Sequence, residues 1–372
     1  MSLAYAGVDL APYGSALRAR AASADDANAW MDLSTVLQLI EKRDLGLAAQ
    51  AQALALSPLY RLPAPTGEAR LRLLALMAPG DFMTNAPLDF LFEDGDVAVD
   101  MLYLGADAPL PASVPEHDLL FVAIGEAAPT TDLLLALRAV IAAWPRPVLN
   151  LPQRIVGSAR DRASRLLAGA PGLLMPSTVR LSRDDLAAGA QQAFPCIARP
   201  LDAHAGKGLA KLDGPAAVDA YLRQTPDPAF FVSPFVDYRS GDGHYRKYRV
   251  VLIAGRPYAV HMAISEHWIV HYLNAGMTES AAKRGEEARF MADFDSDFAR
   301  RHGAALDAVA QRLGLDYLVI DCAETRDGDL LVFEVDTGAV VHLMDDPEVF
   351  PYKPAQMRKV FAAFRQMLEA RR

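Results

Sequence analysis

Cysteine is nearly absent: 372 residues contain two, Cys196 and Cys322, in apolar runs far apart in sequence. Two thiols cannot build a disulfide framework or a zinc knuckle, so both read as small buried hydrophobes. No uninterrupted apolar run reaches the length of a membrane-spanning helix. The opening stretch MSLAYAGVDLAPYG has neither the basic start nor the continuous apolar core of a secretion signal, and a cytoplasmic protein is the expectation. Positive charge is in deficit. Thirty-seven Lys and Arg against 46 Asp and Glu leave a net charge of −9, which argues against nucleic acid and anionic membrane as main partners. There is no GxSxG elbow, no HExxH and no dinucleotide GxGxxG.

What is present is enough apolar residue, 52%, for a folded chain, and enough length for two or three domains. Residues 1–66 read as a helical extension that packs on the body or on another subunit. Asp32 or Ser34 is the expected cap of a helix through VLQLIEKR, and Pro58, Pro63 and Pro65 end the pattern. From 67 to 152 the apolar runs LRLLALMAPG, VDMLYLG, DLLFVAIG and PVLNLP alternate with helical patterns. The clearest is TDLLLALRAVIAAW, with Thr131 or Asp132 as cap. Such alternation predicts a parallel, doubly wound α/β sheet. Its ligand edge, at the carboxyl ends of the strands, carries Asp81, Thr84, Asn85, Glu126 and Asn150.

Residues 153–372 make a third division, with subdomains at about 153–230 and 231–372. Ser182 caps a short helix, FPCIARP is a strand, and a glycine loop follows. Beyond 230 strands and hairpins dominate. A helix from about Asp297 to Leu313 stops at Gly314. HWIVHY reads as strand, so His267 and His271 are expected in packing or substrate contact despite their helical metal spacing.

The most informative stretch is GLDYLVIDCAETRDGDLLVFEVDTG. Asp327-Gly328 is a strong hairpin signal. A two-residue loop pairs Arg326 with Asp329 and sets Asp321 opposite Glu334. Asp336, two residues on, shares their face. The other face, Leu318, Ile320, Cys322, Leu331, Phe333 and Val335, is apolar. Opposed carboxylates at roughly 4.5–5.5 Å between Cβ atoms repel and need a compensating cation. Oxygen ligands favour Mg²⁺, Mn²⁺ or Ca²⁺ over zinc. The alternatives are exposure to solvent or pairing with arginines. A three-residue loop would shift the register by one and scatter the acids.

Two basic features accompany the hairpin. His204-Ala205-Gly206-Lys207-Gly208 is a glycine loop whose N–H groups and lysine suit a phosphate, although Leu209 stands where a Walker A loop needs Ser or Thr. A surface turn is the alternative. Arg199 ends the strand before it. Arg246, Lys247 and Arg249 cluster in one segment, with Lys247 and Arg249 on one face; a solvated basic edge is the alternative there. In an acidic protein, a basic and an acidic cluster together point to a polyphosphate.

In their order along the chain these elements resemble the ATP-grasp superfamily, which includes glutathione synthetase and D-alanine–D-alanine ligase, over roughly residues 71–350. LNLPQ at 149–153 resembles the linker into the nucleotide domain. IARP at 197–200 resembles the strand carrying a phosphate-contacting base, followed by the glycine loop. FVSPFV at 231–236 is similar to the hinge that holds adenine, which would make Ser233, Pro234, Phe235 and Val236 nucleotide contacts. KYRVVLIAG at 247–255 resembles the strand whose arginine, here Arg249, faces substrate or γ-phosphate. NAG at 274–276 looks like the loop near the reaction centre, with Asn274 and Gly276. Asp321, Glu334 and Asp336 match the metal carboxylates. The family's two nucleotide lysines appear as Arg162, with Arg160 as the shifted alternative, and Arg199. Asp336 stands where Asn is usual.

The resemblance implies an ATP-grasp fold behind an N-terminal doubly wound α/β domain. It implies ATP and Mg²⁺, or Mn²⁺, as cofactors, with Arg162, Arg199, His204, Gly206, Lys207 and Gly208 around the phosphates. The implied reaction joins a small-molecule carboxylate to an amine through an acyl phosphate, releasing ADP and phosphate. A homodimer fits such a fold. A kinase of the same fold, or a nucleotide-binding module with weakened catalysis, stays open.

Overall fold

The computed structural model describes residues 1–372 apart from 93–94, 106–108, 191–192, 202 and 204–205. The chain divides into two compact units. One comprises Met1–Gly125, Thr130–Pro152 and Thr337–Arg372; the other comprises Glu126–Pro129 and Gln153–Asp336.

The first unit is built on a five-stranded sheet of β1 (Leu59–Leu62), β2 (Leu71–Met77), β3 (Val97–Tyr103), β4 (Leu119–Val122) and β5 (Val148–Leu149), in the order β1-β3-β2-β4-β5. β2 lies parallel to β3 and β4, and β4 parallel to β5. Leu73, Leu74, Ala75 and Leu76 are all buried, as a central parallel strand covered on both faces requires. β1 adds an antiparallel edge on β3 that the prolines concealed. Pro58 and Pro63 flank the strand and interrupt no ladder bond, and edges tolerate proline. Arg61 anchors β1 to Asp100 at 2.7 Å.

Helix Ala27–Leu39 is capped by Asp26, whose carboxylate accepts from Ala29 N at 3.0 Å. Asp32 and Ser34, the expected caps, lie inside this helix, because ANAWMDLS contains no breaker and Asp26 offers an earlier start. Helix Ala128–Ala142 likewise begins ahead of Thr131 and Asp132. Helix Lys353–Arg371 packs in this first unit and not with the catalytic residues expected to share its domain. Phe364 is fully buried there against Phe92 and Phe121, with ring centroids at 5.4 and 5.9 Å. Several polar residues at the carboxyl ends of the strands serve the loops themselves. Asn85 bonds both N and O of Ala78 at 2.8 Å, and Asp81 takes Arg43 at 3.0 Å.

The second unit holds β6 (Leu173–Leu174), β7 (Val179–Ser182), β8 (Cys196–Pro200), β9 (Ala210–Leu212), β10 (Ala229–Pro234), β11 (Tyr245–Ile253), β12 (Arg256–Ser265), β13 (Tyr317–Glu324) and β14 (Leu330–Asp336). They form a four-stranded sheet, β7-β10-β8-β9, and a five-stranded sheet, β12-β11-β13-β14-β6. In the smaller sheet, Ser182 caps helix Arg183–Ala187 as expected, accepting from Asp185 N. Leu186, Ala198, Val218, Leu222 and Phe230 make its core.

Two expectations fail in the larger sheet's surroundings. HWIVHY is not a strand. β12 ends at Ser265, and the chain reaches a 3-10 turn at Tyr272–Asn274. Trp268 is held as loop by the Tyr238 hydroxyl, which donates to its carbonyl at 2.5 Å, and by Phe235, 5.6 Å away between centroids. The long helix is broken at His302 into Phe298–Arg301 and Gly303–Leu313, and Gly314 closes it. His302 is buried and bonds Glu324 at 2.8 Å, which fixes the break.

The β13–β14 turn is longer than expected. Thr325 N donates to Asp329 O at 2.9 Å around a loop of Arg326, Asp327 and Gly328, with Gly328 at φ +87°. That backbone geometry suits glycine alone at low cost. Near the turn Glu324 faces Leu330 and Cys322 faces Val332; a bulge then skips Phe333, and Asp321 faces Glu334. The loop shifts the register by one and the bulge shifts it back. The carboxylates converge as expected, by a route that was not. On the apolar back, Val332 takes the place expected of Phe333, opposite Cys322.

Candidate functional site

Antiparallel pairing of β11 with β13 sets Arg249 opposite Asp321. Lys247, two residues earlier, shares that face. Asp321 is 2% exposed. It accepts from Arg249 Nε at 2.7 Å and Nη2 at 3.0 Å, and Lys247 Nζ lies 2.6 Å away. Burial alone would raise this carboxyl; the charges and hydrogen bonds of Arg249 and Lys247 outweigh it and hold the group well below the usual carboxylate range. Asp321 is therefore an ionised acceptor with both oxygens engaged.

Glu334 is engaged through Oε2. Arg160, at the start of helix Arg160–Leu167, forms an ion pair with it, and Arg160 Nη1 donates to the carbonyl of the bulged Phe333 at 3.1 Å. Arg199, on β8, brings Nη1 within 3.7 Å of Glu334 and donates from Nη2 to Ala203 O. Its Nε is buried with no hydrogen-bond partner among the described residues. Burial, then repulsion from Arg199, pushes Arg160 down to about 9; burial pushes Arg199 down to about 10. Both stay protonated near neutrality, in surroundings that an added anion would improve. Asp336 sits opposite Val319 on the same face as Asp321 and Glu334.

A further carboxyl borders this group. Glu126 is pushed up to about 7, chiefly by burial, with Arg180 and Arg162 opposing and Asp161 and Asp336 adding to the rise. Arg180 spans Asp161 at 3.0 Å and Glu126 at 4.0 Å. Among the described residues His271 Nδ1 is buried without a hydrogen-bond partner, and burial together with Lys247 and Arg249 lowers its pKa.

Magnesium, which the fold family implies, was expected on Asp321, Glu334 and Asp336. The side chains present do not fit that role. Arg249 and Lys247 take both oxygens of Asp321, and Arg160 and Arg199 hold Glu334. Among the described residues no group of three or more His, Cys, Asp or Glu could hold a metal ion. The compensating charge that the hairpin requires comes from arginine and lysine. Freeing a buried carboxylate from such a pair costs about 3–5 kcal/mol.

The remaining expected residues are dispersed. Arg162 donates to Val156 O at 3.1 Å, while Arg160 reaches the carboxylates, so the shifted alternative is the one at the site. His204 lies outside the described residues. Lys207 is exposed on a turn closed by Leu209 N to Gly206 O at 3.1 Å. Gly208, at φ +67°, approaches the Pro200 ring so closely that a Cβ would lie 2.8 Å from Cδ. In the expected hinge, Ser233 pairs with Ile197 and Pro234 with Cys196, and Phe235 N donates to Pro195 O at 3.0 Å, while Val236 is half-buried. Pairing of β10 with β7 stops at Val232. Lys211 Nζ lies 4.7 Å from the Phe235 ring centroid. Asn274 is exposed at the end of the 3-10 turn, and Gly276 has φ +65°. Lys283 ties down that loop by donating to Ala275 O at 2.6 Å.

The residues missed from sequence are Arg160 as the principal contact and Lys247 as partner of Asp321. Counting back from buried Leu167, Ser164 and Ala163 at helical spacing reaches 160, not 162. Strand alternation had already put Lys247 with Arg249. On the other face of β11 is a cavity of about 610 Å³ lined by Arg246, Tyr248, Glu286, Phe298, Arg301 and Glu324. Arg246 pairs there with Asp242 and Glu286, and Arg301 with Asp297 and Glu324.

No protein-family model and no curated protein matches this sequence. Among solved structures the chain is similar to the VanG D-Ala:D-Ser ligase from Enterococcus faecalis, with TM-score 0.50 and 14% identity over 80% of this chain and 97% of that one. It is similar to D-alanine–D-alanine ligase from Bacillus anthracis complexed with ATP, with TM-score 0.48 and 13% identity over 81% and 96%. It is also similar to an ATP-grasp RimK domain protein from Sphaerobacter thermophilus, with TM-score 0.42 and 19% identity over 80% and 97%. The chain has the ATP-grasp fold, mixed α/β, as the sequence resemblance implied.

Proposed function

We propose that this protein is an ATP-dependent ligase that joins a carboxylate to an amine. One observation carries the reading: Arg160, Arg199, Lys247 and Arg249 converge on the carboxylate face of β13–β14 within an ATP-grasp fold. A polyphosphate and a carboxylate substrate both need such a face.

In this reading Arg160, Arg199, Lys247 and Arg249 neutralise the phosphates, and Lys247 and Arg249 also orient the substrate carboxylate beside the γ-phosphate. A carboxylate oxygen attacks the γ-phosphorus and ADP leaves. The amine nitrogen then attacks the acyl carbon, inorganic phosphate leaves, and the amide remains. The ammonium must shed two protons to become the amide N–H. Glu126, poised near neutrality, is our candidate acceptor for one of them. The acids themselves supply no ligation chemistry; their role is to hold the cations.

ADP release in the presence of pooled small carboxylic acids and amino acids tests the proposal. Hydroxylamine should divert the acyl phosphate to a hydroxamate. Failure to bind ATP in calorimetry would sink the reading, and a stable phosphorylated hydroxyl without any amide would make the protein a kinase.

A further inference from the structure

We infer that this protein neutralises its polyphosphate with a basic quartet, and that Asp321 serves as the counter-charge positioning Lys247 and Arg249 and not as a metal ligand. The inference deepens the nucleotide reading above and rests on it.

Four observations support it. First, Asp321 is buried and both its oxygens are taken, by two nitrogens of Arg249 and by Lys247. A divalent ion would have to displace one of these cations from a nearly dry environment. Second, Glu334 is held by two arginines from different elements, one on a helix and one on the smaller sheet. Third, the charges on this face are Arg160, Arg199, Lys247 and Arg249 against Asp321, Glu334 and Asp336. A surplus of positive charge repels a metal ion and attracts an anion. Fourth, Arg199 keeps a buried Nε–H without a hydrogen-bond partner among the described residues. A buried donor on a cationic group needs an acceptor, and a phosphate oxygen supplies one. The arginines on the opposite side of β11 show the contrast, since Arg246 and Arg301 each meet two carboxylates.

Full-length protein, stripped of metal, is titrated with ATP by calorimetry in excess EDTA and in excess Mg²⁺. We expect ATP to bind in EDTA with a Kd weaker by less than about fivefold. A larger penalty overturns the inference and leaves the nucleotide reading intact. Absence of binding in both buffers overturns both.

Asp321→Asn gives a second readout. A metal ligand would change affinity only in Mg²⁺, which would overturn the proposal. A positioning residue changes it by the same factor, within about twofold, in both buffers. Should that variant not fold, Arg160→Gln replaces it. We expect it to weaken binding in EDTA by about tenfold or more, and unchanged binding counts against the quartet.

Discussion

At the scale of single residues, the site is a balance of buried charges, and pH reads that balance. Glu126 is raised from its ordinary value to about 7 by burial. The folded state therefore holds its proton over a range in which the unfolded state releases it. Its contribution to stability is present at low pH and is lost as pH rises from the ordinary glutamate range through about 7. We expect Glu126→Gln to flatten that loss and to stabilise the protein above pH 7 by about 1–2 kcal/mol, measured by urea denaturation across pH. Asp321 runs the other way. Its stabilising pairs persist until acid well below the usual carboxylate range protonates it. Arg162→Gln is expected to weaken ATP binding by less than about threefold, because Arg162 donates to Val156 O while Arg160 reaches Glu334. The choice between Arg160 and Arg162 was legible from helical spacing. The engagement of both Asp321 oxygens was not, because a sequence does not show which cation the fold brings to which acid.

At the scale of elements, the hairpin shows why the site was readable despite a wrong turn. Side-chain direction along a strand has a parity of two. The three-residue loop inverts it and the bulge at Phe333 restores it. Deleting Phe333, the residue the bulge skips, should leave Cys322 opposite Val332 and Asp321 opposite Glu334. We expect the variant to fold and to keep nucleotide binding, as judged by thermal unfolding and calorimetry, since the acids stay on one face. Gly208 is the other element-scale test. Its φ of +67° and its approach to Pro200 make Gly208→Ala costly by about 1–3 kcal/mol. The doubly wound sheet was legible because its strands are continuous apolar runs. β1 was hidden because edge strands share their signals with loops. The break at His302 was hidden because it depends on Glu324, which is distant in sequence.

At the scale of the whole molecule, a net charge of −9 coexists with a local cationic face. Nucleotide binding should therefore weaken with ionic strength less steeply than for an exposed basic patch, since buried charges are poorly screened; calorimetry from low to high salt checks this. Among the described residues no helix is long and apolar enough to cross a membrane. Phe364→Ala should cost about 3–4 kcal/mol and lower the melting temperature of the first unit, as seen by scanning calorimetry. That phenylalanine also has a consequence in time. The first unit is assembled from segments that flank the second, so the ribosome releases Thr337–Arg372 only after all of Gln153–Asp336 has been made. Domains commonly fold in the order of their synthesis. Here the sheet made earliest waits longest for its last packing partner, and nascent chains should gain protease resistance in the second unit before the first.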